Sequence, residues 1–134
     1  MIIKQIDHIA FCVSDIEKST AFYRDILGFP LAGVIDDGPK DLVYFDIPGA
    51  ARMELFDFHG KSVKPKIEKS ECDPLGFVHL AFLVDDVDEW AKHLAEHNVP
   101  ITYGPESLPH IGVRVCLFED PDGNTLEVSM SLEG

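Results

Sequence analysis

Two histidines and two glutamates stand at matching places in the two halves of this 134-residue sequence. His8 begins the segment HIAFCVSDI and His79 begins HLAFLVDDV, so His, Ala, Phe, Val and Asp recur in the same order. Near the end of each half, Glu54 in MELF corresponds to Glu127 in LEVS. Imidazole and carboxylate groups together suit a divalent ion such as Zn, Ni, Fe, Co or Mn. The repeat therefore predicts one metal site made of these four residues.

The segments around these residues predict the order β-α-β-β-β in both halves. The first half gives a strand at 6–13, a helix from the capping box Ser14-Asp15-Ile16-Glu17 to Gly28, and strands at 30–35, 42–47 and 51–58. The second gives a strand at 76–84, a helix at 86–97, and strands near 101, at 111–118 and at 125–130. A turn is expected at 121–124.

Two such modules, 1–58 and 76–134, are joined by a polar linker at 59–75. This pattern predicts a single α+β domain, in which tandem βαβββ modules form a curved mixed sheet with helices on its outer face. Side chains alternate along a strand, so Ile9 and Met53 should point to the helix, whereas His8 and Glu54 should point to the concave side. The second half repeats this arrangement, which should bring all four ligands to one surface.

Charge and composition exclude several partners. The chain has 11 Lys and Arg against 24 Asp and Glu, and its formal charge of −13 would repel nucleic acid and anionic membrane surfaces. It contains no long apolar span or signal-peptide core, so we expect a soluble cytoplasmic protein. Cys12, Cys72 and Cys116 are odd in number and lack paired spacing, which predicts reduced thiols that serve mostly in packing.

Three motifs resemble the vicinal-oxygen-chelate superfamily, which contains glyoxalases, bleomycin-resistance proteins and dioxygenases. They are Asp7-His8-Ile9, the helix end FYRDILGF at 22–29, and DPDGNTLE at 120–127. The similarity extends over nearly the whole chain. Members of this superfamily isomerise, epimerise, oxygenate or sequester their ligands, so the motifs indicate the fold more specifically than the activity.

The order of the ligands is similar to that of glyoxalase I, which uses His, Glu, His and Glu. The resemblance implies that the family ligands are His8, Glu54, His79 and Glu127, with Ni or Zn as the expected metal and Co, Mn or Fe as alternatives. Methylmalonyl-CoA epimerases usually have Gln at the position of Glu54. Extradiol dioxygenases and fosfomycin-resistance enzymes usually use two His and one Glu.

The resemblance to glyoxalase I also implies a reaction. The substrate would be the hemithioacetal of a 2-oxoaldehyde and a thiol such as glutathione, and a proton would move through an enediolate that the metal stabilises. By resemblance Glu127 is the expected base and Glu54 the assisting carboxylate, although the symmetry of the halves alone does not separate them.

Departures from glyoxalase I concern the substrate pocket. Bacterial glyoxalase I usually has Arg four residues after its first metal His and Asn four after its first metal Glu, where this chain has Cys12 and Phe58. A wall formed by Phe56 and Phe58 predicts a less anionic substrate, or a thiol held by other groups. Arg52 and Arg114 are the candidate replacements, Arg114 only if its strand has the right register. Cys12 is expected to pack rather than to react.

Other functions stay open at this point. The chain could be another metal enzyme of the superfamily, such as an epimerase, a dioxygenase or a thiol transferase that inactivates an antibiotic. It could also be a non-catalytic protein that binds a small molecule and confers resistance. His59 and His110 are predicted in loops that could reach the pocket mouth. We expect a homodimer, with the site inside one chain or spanning two.

Overall fold

The computed structural model describes residues 1–61 and 75–133. The chain divides into two compact units, Met1–Pro65 and Lys66–Gly134. Most of the predicted linker, together with Cys72, lies outside the described residues. In the part of the chain that is described, no helix is long and apolar enough to span a membrane.

The first unit forms a four-stranded mixed sheet that carries one helix. Its strands follow the order β1-β4-β3-β2, in which β1 pairs with β4 in parallel and the other pairs are antiparallel. The elements are β1 (His8–Val13), α1 (Ile16–Thr20), a π-helical continuation of α1 (Ala21–Ile26), β2 (Leu31–Asp36), β3 (Asp41–Asp46) and β4 (Arg52–Asp57).

The helix of the first unit begins one residue later than the capping box predicts. Asp15, not Ser14, is the N-cap, and its carboxylate accepts hydrogen bonds from the backbone N–H groups of Glu17 and Lys18. The prediction of Ser14 as the cap is therefore wrong, because Asp15 offers a charged acceptor to the same unpaired donors. Gly28 has a φ of 82°, and the helix ends before it as predicted.

The residues of β1 and β4 that are predicted to face the helix are buried or partly buried, as expected. Val13, Met53 and Leu55 are buried, and Phe11 lies near Tyr23 of the helix, with ring centroids 6.4 Å apart. We call this side the helix face and the opposite side of the sheet the open face. Register pairs His8 with Arg52 and Ala10 with Glu54, so His8 and Glu54 share the open face.

The second unit repeats this topology. Its sheet has the order β5-β8-β7-β6, with a parallel pair between β5 and β8. The elements are β5 (Leu80–Leu83), α2 (Val87–Glu96), β6 (Ile101–Leu108), β7 (Val113–Glu119) and β8 (Thr125–Ser131). The strand predicted at 76–84 is shorter than expected, and His79 directly precedes it. The prediction of an α+β fold with two βαβββ modules is confirmed, and each module forms its own four-stranded mixed sheet.

The hairpin between β7 and β8 explains why the motif at 120–124 has its composition. The buried carboxylate of Asp120 accepts hydrogen bonds from the backbone of Asp122 and from both the backbone and the side chain of Asn124. Gly123 adopts a φ of 79°, which a residue with a Cβ rarely does. The turn fixes the register of β8, and therefore the position of Glu127 on it.

Candidate metal centre

The first unit brings His8 and Glu54 together. The Nε2 atom of His8 lies 3.5 Å from Oε2 of Glu54. Two elements produce this contact, because β1 and β4 run in parallel and place both residues on the open face. The Glu54 side chain is 9% exposed and that of His8 is 46% exposed, so the carboxylate is much more buried than the imidazole.

Asp7 orients the ring of His8. Its carboxylate Oδ2 lies 2.7 Å from Nδ1 of His8, which leaves Nε2 directed at Glu54. The hydrogen bond that His8 donates to Asp7 is the main reason why the pKa of His8 is raised, and the charge of Glu54 raises it further. Metal-binding histidines commonly donate their second ring N–H to a carboxylate in this way.

Tyr44 adds a contact that the sequence did not indicate. It pairs with Glu54 across β3 and β4, and its phenol donates a hydrogen bond to the carboxylate. Partial burial is the main cause of a raised pKa for Tyr44, and the charge of Glu54 contributes as well. The alternation of β3 could have placed Tyr44 on the open face, but its pairing with Glu54 requires the register.

The second unit contains an equivalent pair. Nε2 of His79 lies 3.0 Å from Oε2 of Glu127. Ala81 pairs with Glu127 as Ala10 pairs with Glu54, so the internal repeat extends to the register of the strands. The side chain of His79 is 35% exposed and that of Glu127 is 14% exposed.

The two carboxylates differ in their neighbours. The residue that pairs with Glu127 across β7 and β8 is Leu117, where the first unit has Tyr44. Leu117 has no hydrogen-bond donor in its side chain. Glu54 is therefore held by a phenol, whereas the described contact of the Glu127 carboxylate is with His79.

The donor sets of both units suit a divalent transition metal. Two ligands about 2.1 Å from one ion lie roughly 3.0–3.4 Å apart, close to the distances within each His and Glu pair. A buried carboxylate is costly unless a cation neutralises it, and among the described residues the ion-pair partner of Glu54 is His8. Each unit thus provides one imidazole and one carboxylate as candidate ligands.

The candidate substrate cations lie in different places. Arg52 is on the open face, since it pairs with His8, but its Nε donates a hydrogen bond of 2.9 Å to Asp46.

Arg114 pairs with Met130 and binds Asp88 of α2 through two hydrogen bonds of 2.7 Å. The expectation that Arg114 lines the pocket is wrong, because its register places it on the helix face.

Lys40, which the sequence analysis missed, covers the predicted aromatic wall. Its Nζ lies 5.3 Å from the ring centroid of Phe56 and 5.8 Å from that of Phe58, distances typical of a cation–π contact. The same ammonium forms an ion pair of 2.8 Å with Asp37. The wall is therefore not purely apolar.

Cys12 pairs with Phe56 and is exposed, so the expectation that this thiol serves in packing is wrong.

Comparison with known proteins identifies a family. Residues 5–128 match the model of the Glyoxalase/Bleomycin resistance protein/Dioxygenase superfamily. The chain is 37% identical over 131 residues to the uncharacterized protein YaeR of Escherichia coli, covering 94% of this chain and 95% of YaeR. It is 33% identical to the metallothiol transferase FosB of Staphylococcus epidermidis, covering 94% of this chain and 83% of FosB. The crystal structure of lactoylglutathione lyase from Agrobacterium tumefaciens aligns with a TM-score of 0.66 and 28% identity, covering 93% and 92% of the two chains.

Proposed function

Because this chain belongs to the Glyoxalase/Bleomycin resistance protein/Dioxygenase superfamily, we propose that it is a metal-dependent isomerase of the glyoxalase I type. Its substrate would be the hemithioacetal of a 2-oxoaldehyde and a small thiol, in the cytoplasm. One observation carries the proposal, namely the close His and Glu pair on the open face of each unit. Two carboxylates beside two imidazoles provide both a cation site and proton acceptors.

The proposed site joins the two pairs around one divalent ion, with His8, Glu54, His79 and Glu127 as ligands. Ni or Zn suits this mixture of nitrogen and oxygen donors, and Co, Mn and Fe are alternatives. When bound, such an ion would supply positive charge to two adjacent oxygens of the substrate. The pairs can come from one chain or from two chains of a homodimer, and the donor set is the same in either case.

Glu127 is the proposed base. It would take the proton from the carbon that carries the sulfur and return it to the neighbouring carbonyl carbon, so the substrate is isomerised without a change in oxidation state overall. Its pairing with Leu117 supports this role, because the side chain of Leu117 has no hydrogen-bond donor that would occupy the carboxylate oxygens. Glu54, which is buried and accepts a hydrogen bond from Tyr44, would assist the proton transfer from the first unit.

The open face of the first unit would hold the remainder of the substrate. Cys12, Arg52, Phe56 and Phe58 are the proposed pocket residues, of which the first three occupy this face by register. Lys40 above the two phenyl rings adds a positive charge to the wall. An anionic thiol is therefore compatible with this wall, although the Arg and Asn of bacterial glyoxalase I are replaced.

A second candidate function is thiol transfer to an antibiotic. The similarity to FosB, with 33% identity over 94% of this chain, favours it. Such a reaction would use the same cation site and a thiolate nucleophile in place of proton transfer. The second carboxylate favours the isomerase, since three of the four side chains can hold the ion while Glu127 acts as a base.

The test is turnover by protein reloaded with Ni, Zn, Co or Mn after metal removal. The isomerase proposal predicts formation of the thioester from methylglyoxal and glutathione, measured by its ultraviolet absorbance. Formation of a thiol adduct of fosfomycin in a parallel assay, with no thioester, would favour the transferase instead. If the protein binds metal but forms neither product, the proposed metal site is retained and both reactions are rejected for these substrates.

A further inference from the structure

A second group of metal-ligating side chains lies on the helix face of the first unit. Asp41, Asp57 and His59 each offer a ligand atom, and these atoms lie within 4.8 Å of one another. Nε2 of His59 is 3.5 Å from Oδ2 of Asp41, and its Nδ1 is 3.4 Å from Oδ2 of Asp57. Asp41 and Asp57 pair directly across β3 and β4, which fixes the two carboxylates side by side.

This group is separate from the proposed pair of His8 and Glu54. Asp57 follows Glu54 by three residues on β4, so the two side chains point to opposite faces of the sheet, roughly 10 Å apart along the strand. A ligand bound by one group would not contact the other. The proposal of a ligand site at this group therefore does not depend on the proposed isomerase activity.

The charge on this group is uncompensated by fixed cations. Asp57 is 6% exposed and accepts a hydrogen bond of 2.8 Å from the backbone N–H of His59, but among the described residues no Lys or Arg forms an ion pair with Asp57 or Asp41. The neighbouring Lys40 is directed elsewhere, to Asp37 and the two phenyl rings. Two adjacent carboxylates without a Lys or Arg partner repel each other, and a bound cation removes that cost.

The internal repeat shows which residue of the second unit occupies the position equivalent to Asp41. The position of Asp41 in the first unit corresponds to that of Arg114 in the second, since Asp41 pairs with Asp57 as Arg114 pairs with Met130. In the second unit a fixed guanidinium thus occupies this end of the sheet and binds Asp88. The first unit replaces that cation with two carboxylates and an imidazole.

We propose that Asp41, Asp57 and His59 bind a second divalent metal ion, of the borderline class that includes Zn. Two carboxylates and one imidazole are a donor set of the kind that Zn takes, with a coordination position left for water. Ligand atoms of one ion lie roughly 3.0–3.4 Å apart, whereas the three ligand atoms here are up to 4.8 Å apart. The longest of these distances must therefore shorten by about 1 Å or more when an ion binds. His59 can supply this movement because it lies beyond the end of β4 and is 53% exposed.

One consequence concerns the loop after β4. Asp41 begins β3, Asp57 ends β4, and His59 lies in the turn that follows. An ion held by all three would tie this turn to the sheet. Since the folded chain alone presents the three ligands together, added metal should also raise the midpoint of thermal unfolding.

The test follows the ring signals of His59 by NMR while Zn²⁺ is added to metal-free protein. The Glu54→Gln, Glu127→Gln double variant is used, so that the proposed isomerase site is weakened. We expect the His59 signals to shift with about one ion per chain, and Asp41→Asn to weaken this binding by about tenfold or more. His59→Gln should abolish the increase in the thermal midpoint that Zn²⁺ causes, whereas His110→Gln, at an exposed position in a turn, should not.

Asp41→Asn and His59→Gln alter partly exposed side chains, so both variants should fold, and circular dichroism verifies this. Two results would overturn the proposal. In the first, the His59 signals do not respond to millimolar Zn²⁺. In the second, they respond equally in Asp41→Asn, which would mean that an exposed imidazole binds the ion without the carboxylates.

Discussion

The phenol of Tyr44 donates a hydrogen bond to Glu54, its partner across β3 and β4. The second unit has Leu117 in that place, beside Glu127. Two modules with the same fold and the same pair of ligand types thus give their carboxylates different surroundings. This difference underlies two predictions, one for Glu54 as a proposed metal ligand and one for Glu127 as the proposed base.

We predict that Tyr44→Phe weakens metal binding by about 10- to 100-fold, because the hydrogen bond that orients Glu54 is lost. Competition with a chromophoric chelator measures the affinity. Tyr103→Phe, at an exposed position on β6, is the matched control and should bind as the unaltered protein does. Equal affinity in Tyr44→Phe would show that the phenol does not position the carboxylate.

The proposed base gives a second prediction. Glu127→Gln should abolish isomerase turnover while metal content falls only in part, because three ligands are retained and the amide oxygen can still coordinate. Metal analysis and the thioester assay on the same sample separate the two effects. Glu133→Gln, which changes an exposed residue after β8, should alter neither. A fully active Glu127→Gln protein would contradict the assignment.

Thiol reactivity should differ between two cysteines. Burial is the main cause of a raised pKa for the Cys116 thiol, and the charge of Asp88 adds to it, whereas Cys12 is exposed. In a Cys72→Ser background we expect Ellman's reagent to modify Cys12 in the native protein, and Cys116 only as the protein unfolds. Rapid modification of both thiols in native protein would contradict the burial of Cys116.

The ion pair between Asp88 and Arg114 predicts a dependence on pH. The hydrogen bond from Arg114 lowers the pKa of Asp88, so the ionised carboxylate stabilises the fold above its unfolded pKa. This contribution is lost as the pH falls through the lowered value. Asp88→Asn should slightly lower the thermal midpoint at about pH 7, and the difference should shrink as the pH falls below the unfolded pKa of Asp and through the lowered value.

Asp85→Asn is the control for this pH dependence, because it removes a carboxylate near the same helix end without breaking the pair with Arg114. A decrease in midpoint of the same size in both variants at about pH 7 would assign the effect to the helix dipole. The ion pair with Arg114 would then make no separate contribution.

The sequence was sufficient for the features that depend on local periodicity. Alternation along β1 and β4 placed Val13, Met53 and Leu55 in the core, and the structure confirms it. Gly28 ended the helix as predicted because a positive φ favours glycine. The cap was assigned to Ser14 instead of Asp15, since the capping-box pattern does not account for the stronger acceptor one residue later.

Features that depend on strand register could not be predicted. Arg114 lies on the helix face because its strand pairs it with Met130, and a shift of one residue would have placed it on the open face. The same applies to Tyr44, whose contact with Glu54 follows from pairing between two strands. The group of Asp41, Asp57 and His59 is formed by the ends of two strands, whereas the sequence pattern predicts His59 only as a loop residue.

The most direct test of the central claim is a Zn²⁺ titration of the metal-free His59→Gln protein by isothermal calorimetry, so that the second proposed site does not contribute. The account predicts one ion for each His8, Glu54, His79 and Glu127 set. It also predicts that His8→Ala and His79→Ala each weaken binding by at least about tenfold. If His79→Ala leaves the affinity unchanged while His8→Ala removes it, the pairs of the two units do not share an ion and the central claim is contradicted.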